Sequence, residues 1–285
     1  MLAFIVLLAS LRFGISVLMV YFVATPIGNL KDITLRALEV LKEADVIFCE
    51  DTRHSLKLLN AYDVKKPLQS CHKFNEKRAA EKIIAAAKEG RQVAVISDAG
   101  MPVVSDPGNV VCAALKEAGV PYTVVPGANA ALSALVLSAF PAERFAFLGF
   151  LPEKSGDRRA LLQNYKNLDC TLVFHVAPQD IDRDVSAMYG VLGDRPACAV
   201  REITKIHEEA VNFTLAGGFN GEKRGEFVII VGGAEAAVNE LNNLSEREHI
   251  LHYMSAGMDK KDAVKQAAKD RGISKSEMYK FSLDL

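Results

Sequence analysis

Residues 97–134 read SDAGMPVVSDPGNVVCAALKEAGVPYTVVPGANAALSA, and they constrain the fold more than any other stretch. An apolar run at 92–96 ends at Asp98-Ala99-Gly100, and the chain restarts as a helix behind Asp106-Pro107-Gly108. Asp106 is a good N-cap, Pro107 suits a first helical turn and Gly119 closes the helix. A second apolar run at 122–125 stops at Pro126-Gly127 and leads into a helix from about Asn129. Two strand–loop–helix turns in succession describe a parallel sheet whose ligand sits at the carboxyl ends of its strands. Small residues and Gly in both loops let backbone approach a small molecule closely, and Asp98 adds a fixed charge.

The same alternation extends backwards. Residues 20–24 (VYFVA) form a strand, followed by the turn Thr25-Pro26-Ile27-Gly28-Asn29. Asp32 is expected to cap a helix with Leu35, Leu38 and Leu41 on one apolar stripe. Residues 46–49 are the second strand, Asn75 caps the next helix and Gly90 ends it. With a strand at 146–150, five βα units account for residues 20–150, an α/β domain with a mostly parallel sheet. Beyond the linker LPEKSGD at 151–157, strands at 171–175, 197–201, 210–215 and 226–231 arrive close together, which implies hairpins and a mixed sheet. Helices are expected at 158–166 and 181–189, and three short ones at 246–255, 260–271 and 274–281. The expected division is an N-terminal α/β domain at 19–151, a C-terminal α/β domain at 152–236 and a helical tail at 237–285.

The segment 1–18 (MLAFIVLLASLRFGISVL) departs from this pattern. It lacks a basic n-region and a small-residue cleavage site, so it does not read as a signal peptide. Arg12 interrupts it, and it runs straight into a strand, so it does not read as a membrane span either. It is expected to be a gene-start artefact, with translation beginning at Met19. Over the full 285 residues half are hydrophobic, enough for a core in each of two domains, and the net charge is −1. Such a balance attracts neither nucleic acid nor anionic membrane in general, so an RNA partner would need local patches. The five scattered cysteines read as reduced cytosolic thiols rather than a disulfide framework or a metal site.

Polar clusters fall where chemistry is expected. Glu50, Asp51, Arg53 and His54 follow the second strand, and His72, Asn75 and Glu76 form a second group. Asp98 stands alone, and Arg201-Glu202-Ile203-Thr204-Lys205 is the densest group of the second domain. A helix cap is the ordinary role for Asn75, and a hydrogen-bonded core residue the ordinary role for His175. No GxxxxGK[ST] and no GxGxxG after a strand occurs, so nucleoside triphosphate and dinucleotide sites lack their signatures.

Four segments in order, TPIGNLKDITLRALEVLKEADVIFCEDTR, SDAGMPVVSDPG, VPGANAALSAL and REITKIHEE, resemble the ribosomal RNA small subunit methyltransferase I family of the tetrapyrrole methylase superfamily. The resemblance runs from about Val20 to the C-terminus. It implies two α/β domains, distinct from the common Rossmann-like methyltransferases, with S-adenosylmethionine bound in the cleft between them. The activity it implies is 2′-O-methylation of a cytidine in the decoding region of 16S rRNA in the small ribosomal subunit, by a cytoplasmic homodimer. It also implies that Pro26, Ile27, Asp98, Ala99, Gly100, Met101, Asn129 and Ala130 line the cofactor site, closed from the second domain near Leu215.

Methyl transfer to a ribose hydroxyl is an in-line displacement helped by a proton acceptor, and Glu50, Asp51 and Glu202 are candidates. Arg53, Arg201 and Lys205 are candidates for phosphates, with Asn75 beside the RNA. The tail lysines (Lys261, Lys265, Lys269) sit on the middle one of three short helices, which read either as a helix-turn-helix module suited to an RNA backbone or as a helical lid on the second domain with ordinary solvated lysines. A tetrapyrrole-type small-molecule methylase and a non-catalytic cofactor-binding protein are the alternative readings. Two places depart from the family pattern. Val176-Ala177-Pro178-Gln179-Asp180 stands where the family has Glu, a small residue and Pro-His-Arg, and Lys73-Phe74 stands where it has Glu-His. No role is transferred to these positions.

Overall fold

The structure is a computed structural model that describes residues 19–234 and 240–285. The segment 1–18, expected to be a gene-start artefact, lies outside the described residues. Of the described residues, those up to Gly233 form one compact unit and those from Ala234 form a second.

The first sheet is built from β1 (Val20–Val23), β2 (Val46–Cys49), β3 (Leu68–Ser70), β4 (Val93–Ile96) and β5 (Tyr122–Val125). All pairs are parallel, in the order β3-β2-β4-β1-β5. The continuous apolar runs VYFV, VIFC and VAVI belong to strands covered on both faces, as a parallel sheet requires. The helices between them are α1 (Leu35–Glu43), α2 (Thr52–Ala61), α3 (Glu76–Lys88) and α4 (Asn109–Glu117). Ala79, Ala80, Ile83 and Leu115 pack on one face of the sheet, and Ala37, Val40, Leu41 and Leu59 on the other.

Several local expectations are corrected. Strand β3 (LQS) lies at the sheet edge and is half-exposed, so it carries no apolar run by which to recognise it. Thr34, whose Oγ1 accepts from Ala37 N at 3.1 Å, caps α1 in place of Asp32. Leu35 is 80% exposed because the true period is nearer four than three, and Ala37 and Val40 share the buried stripe with Leu41. Helix α4 begins behind Gly108, two residues later than the Asp106 cap predicts.

The strand expected to complete the first domain, Phe145–Phe150, pairs instead with Thr171–Val176 in the second sheet. The cause is the helix α5 (Ala130–Ser138), apolar on every side. It leaves the first sheet after β5 and lays Ala131, Ala134 and Leu135 against Val173, Cys198, Val200 and Val228. The chain has therefore crossed over before residue 145. The second sheet comprises β6 (Phe145–Phe150), β7 (Thr171–Val176), β8 (Pro196–Arg201), β9 (Glu209–Thr214) and β10 (Phe227–Val231), in the order β6-β7-β10-β8-β9. Only β6 and β7 run parallel, so the sheet is mixed, as expected. Helices α6 (Ser155–Tyr165) and α7 (Ile181–Leu192) cover the face opposite α5 through Leu162, Ile181, Val185 and Met188.

The C-terminal unit holds α8 (Glu246–Ser255), α9 (Lys260–Arg271) and α10 (Lys275–Lys280) around Ile250, Val264, Ala267, Ala268 and Met278. Reciprocal capping boxes, Ser245 with Glu248 and Ser274 with Glu277, open α8 and α10. Gly272, in the left-handed region at φ 64°, ends α9.

Candidate functional site

The carboxyl ends of β1 and β4 are zipped together beyond the sheet. Thr25 N donates to Gly100 O at 2.9 Å, Gly100 N returns a bond to Thr25 O at 3.0 Å, and Thr25 Oγ1 donates to Ser97 O. Gly100 sits at φ +81°, and a Cβ there would meet Ile27 Cγ2 at 3.3 Å. Gly127, after β5, approaches so closely that its Cβ would stand 2.9 Å from that of Ala24. Three strand ends thus converge closely, with glycine at the approaches to Ile27 and Ala24 where a Cβ would crowd. Asn129 caps α5 through Leu132 N at 3.0 Å.

This convergence forms one wall of a cavity of about 340 Å³. Ile27, Ala99, Gly100, Met101, Asn129 and Ala130 line it, six of the residues expected at a cofactor site. Pro26 is buried next to Ile27. Asp98 is not among the lining residues; its Oδ1 accepts from Asp51 N at 3.1 Å, so it holds the loop after β2. Leu215 is elsewhere: at 2% exposure it packs in the core of the second sheet. The far wall is made instead by Phe150, His175 and residues 176–178, with Phe227 and Val228 of β10. His175 is therefore not a core histidine. Its ring stands edge-on to Phe147 at 5.1 Å and tilted against Phe150 at 5.4 Å, and burial holds its pKa down, opposed by Glu226.

The carboxylates sort by environment. Asp51 caps α2, accepting from Arg53 N at 2.8 Å and pairing with the Arg53 guanidinium, and these bonds lower its pKa. Glu50 is half-buried, and burial raises its pKa, with repulsion from Asp98 adding and His72 opposing. Asp106, expected as a helix cap, instead lines the cavity. Burial first and then the charge of Glu50 push its carboxyl to about 6, against a hydrogen bond to Ser97. The loop that carries Asp106 is strained: Val103 and Ser105 have φ of 78° and 66°. It is anchored by Glu76, whose Oε1 accepts from Gly108 N and Val110 N, both at 2.8 Å, and so caps α4 from a neighbouring helix.

The dense group after β8 is internally paired. Arg201 is 8% exposed and gives Nε to Glu209 at 2.7 Å and a terminal nitrogen to Glu222 at 3.0 Å. Two of its three guanidinium nitrogens are committed to carboxylates, so the expected phosphate contact would share the group with these ion pairs. Glu202 accepts from Lys205 Nζ at 2.8 Å and from Glu226 N at 3.0 Å, and the lysine bond first of all lowers its pKa. Burial would lower the pKa of Lys205, but Glu202 and Glu226 outweigh it and the pKa is raised. Arg53, 89% exposed at its side chain, stays at the surface. Asn75 occupies the N-cap position of α3 without capping it: its side chain accepts from His72 N at 2.8 Å and donates to Ser70.

Asp106, His175, Phe150 and Phe227 are among the cavity residues that sequence reasoning did not place at the site. One signal existed: β7, like the strands of the first sheet, ends at a ligand-facing loop, and the strand-end rule applied there would have found residues 176–178. Among the described residues no group of three His, Cys, Asp or Glu could hold a metal ion, and no helix is long and apolar enough to cross a membrane.

The Tetrapyrrole (Corrin/Porphyrin) Methylases family model matches residues 19–217. The chain is 42% identical over 268 residues to the ribosomal RNA small subunit methyltransferase I of Halalkalibacterium halodurans, covering 91% of this chain and 92% of that protein. It is 40% identical to the Bacillus subtilis protein of the same name, with the same coverage of each chain. Among solved structures it is similar to the methyltransferase CobJ, with a TM-score of 0.58 at 19% identity over 76% of this chain and 94% of that one. Uroporphyrin-III-C-methyltransferase from Thermus thermophilus gives 0.53 at 23% identity over 75% and 94%, a likeness of fold. The chain belongs to the tetrapyrrole methylase family, S-adenosylmethionine-dependent methyltransferases.

Proposed function

We propose that this protein methylates 16S rRNA of the small ribosomal subunit, at the ribose 2′-hydroxyl of a cytidine in the decoding region. The supporting observation is the cavity where the carboxyl-end loops of the first sheet face the end of β7, in a chain matched along nine-tenths of its length by rRNA methyltransferases.

The residues present fit the cofactor. Gly100 leaves a cradle that a Cβ would narrow against Ile27, and Ile27, Met101 and Val228 offer apolar surface to a flat base. Backbone groups of Ala99 and Met101 and the Asn129 side-chain NH2 offer polar partners to the rest. Pro26 supports Ile27, and Asp98 holds the loop after β2. Bound S-adenosylmethionine supplies an activated methyl group on a sulfonium. The protein's part is to align the hydroxyl with that group, exclude water and receive the proton. Asp51 and Glu202 are tied up in a cap and an ion pair, so we assign proton acceptance to the Glu50–Asp106 side of the site. Arg53 and the exposed lysines of α9 serve the RNA backbone, while Lys205 closes the site over Gly28.

A cytoplasmic homodimer completes the reading. Leu132, Val136 and Leu137 leave an apolar face of α5 exposed, and Tyr122 and Val124 do the same along the edge strand β5. That surface suits a second copy. The decisive experiment transfers tritiated methyl groups from S-adenosylmethionine to small subunits lacking the modification, then maps the label by nuclease digestion. Label in a 2′-O-methylcytidine of 16S rRNA is expected. Its absence from the rRNA, with cofactor binding intact by calorimetry, overturns the proposal.

A further inference from the structure

The loop after β3 displays an aromatic ring in water. Cys71 N donates to Cys49 O at 2.8 Å, so the loops after β2 and β3 lie side by side at one end of the sheet. The Asn75 side chain accepts from His72 N and donates to Ser70 O and Ser70 Oγ, which fixes the course of residues 70–75. Phe74 N adds a bond to His72 Nδ1 at 3.3 Å. Within this frame the Phe74 ring is 94% exposed and touches only the edge of the His72 ring, with centroids 6.2 Å apart. Such a side chain adds nothing to a core, and the loop beneath it is ordered at several hydrogen bonds.

Exposed cations outnumber exposed acids along this loop and the two helices that follow β2 and β3, Glu81 being the exposed acid one turn from Lys77 and Arg78. Lys73, Lys77 and Arg78 are exposed on its own loop and helix, and Arg53, His54 and Lys57 on the neighbouring one. Of the nearby acids, Asp51 caps α2 and pairs with Arg53, Glu76 caps α4, and Glu50 is half-buried. A chain with a net charge of −1 thus carries a local run of exposed cations, Lys73, Lys77 and Arg78, on either side of an exposed aromatic ring. Cations that track a backbone and a ring on which a base can lie are the two parts of a single-strand nucleic-acid site.

We propose that Phe74 is a stacking platform for an unpaired nucleobase of the RNA substrate, held by the surrounding Lys73, Lys77, Arg78 and Arg53. This rests on the rRNA reading above, and names the side of the molecule by which the strand enters.

The test uses the full chain and small subunits lacking the modification. Phe74→Ala should raise KM for subunits about tenfold, with kcat, cofactor affinity and melting temperature unchanged. Phe74→Trp should restore KM, and Phe74→Leu should not. The wild type should also bind a short unpaired RNA more tightly than its duplex in fluorescence anisotropy, and Phe74→Ala should lose that preference. An active wild type with an unchanged KM for Phe74→Ala overturns the platform and leaves rRNA methylation standing. Rescue by Leu as complete as by Trp overturns it too, pointing to an apolar contact with protein. A wild type that methylates no RNA removes the underlying reading instead.

Discussion

Lys205 crosses directly over Gly28: a Cβ at Gly28 would stand 2.6 Å from Lys205 Cγ and 3.1 Å from the Ile203 carbonyl oxygen. The turn after β1 is thereby latched to the loop after β8, and Asn29 N adds a bond to Thr204 Oγ1 at 3.1 Å. The latch is held in strained backbone, since Glu202 and Thr204 have φ of 50° and 67°. Gly28→Ala is expected to cost about 1–3 kcal/mol in urea unfolding, as overpacked sites do. In a Lys205→Ala background the cost should shrink by on the order of 1 kcal/mol, because only the Ile203 oxygen remains in the way. Additive losses would mean that Lys205 swings aside freely.

Glu76 offers a second stability test. Its carboxylate accepts two backbone N–H bonds at 2.8 Å that α4 cannot satisfy from within, because Gly108 provides no side-chain cap. Glu76→Ala should cost roughly 1–3 kcal/mol, the range for losing a charged partner to partly buried donors. The loop carrying Asp106 hangs from that anchor, so amide exchange at residues 103–110 should speed up more than elsewhere in the first sheet. Uniform exchange would separate the cap from the loop.

What was legible in the sequence follows from range. The strands VYFV, VIFC and VAVI and the helical tail announce themselves through local pattern, because burial on both faces or on one stripe leaves a periodic mark. The first-sheet half of the cavity was legible too, since Gly100, Asn129 and their neighbours sit at strand ends. Whatever depends on distant partners was not. The pairing of Arg201 with Glu222 spans 21 residues, and the cap given by Glu76 to Gly108 spans 32. The sheet that Phe145–Phe150 joins is decided by where α5 packs, and an all-apolar helix has no moment to say which way it faces. His175 sits in an apolar strand, and only the apposition of that strand end to the first-sheet loops makes it a cavity residue.

The tail separates its charges by position. Lys261, Lys265 and Lys269 are exposed four residues apart along α9, while Asp259 caps that helix and Asp270 accepts bonds from Tyr253 and Gln266. Reversing the three lysines to Glu should raise the KM for small subunits and alter its salt dependence, with cofactor affinity and melting unchanged. An identical KM from low to high salt would leave α9 as an ordinary solvated helix.

Asp106 joins stability to chemistry. Its carboxyl is held at about 6 in the folded protein against a usual 3.8, chiefly by burial and by the charge of Glu50. Between those values the folded state binds more protons than the unfolded one, so stability falls as pH rises from about 4 to about 6 and stays low above. The full difference corresponds to about 3 kcal/mol, and solvent screening at a half-buried position reduces the expected loss to on the order of 1 kcal/mol. Asp106→Asn should recover that loss at pH 8 and change little at pH 4, as read from urea midpoints. The same substitution removes a proton acceptor, so kcat should drop about a hundredfold or more, and the acid limb of the pH–rate profile near 6 should vanish. Cofactor affinity should be retained. A variant that gains stability at pH 8 yet keeps its kcat would show that the buried charge at Asp106 is a structural burden only, and would shift proton acceptance to Glu50.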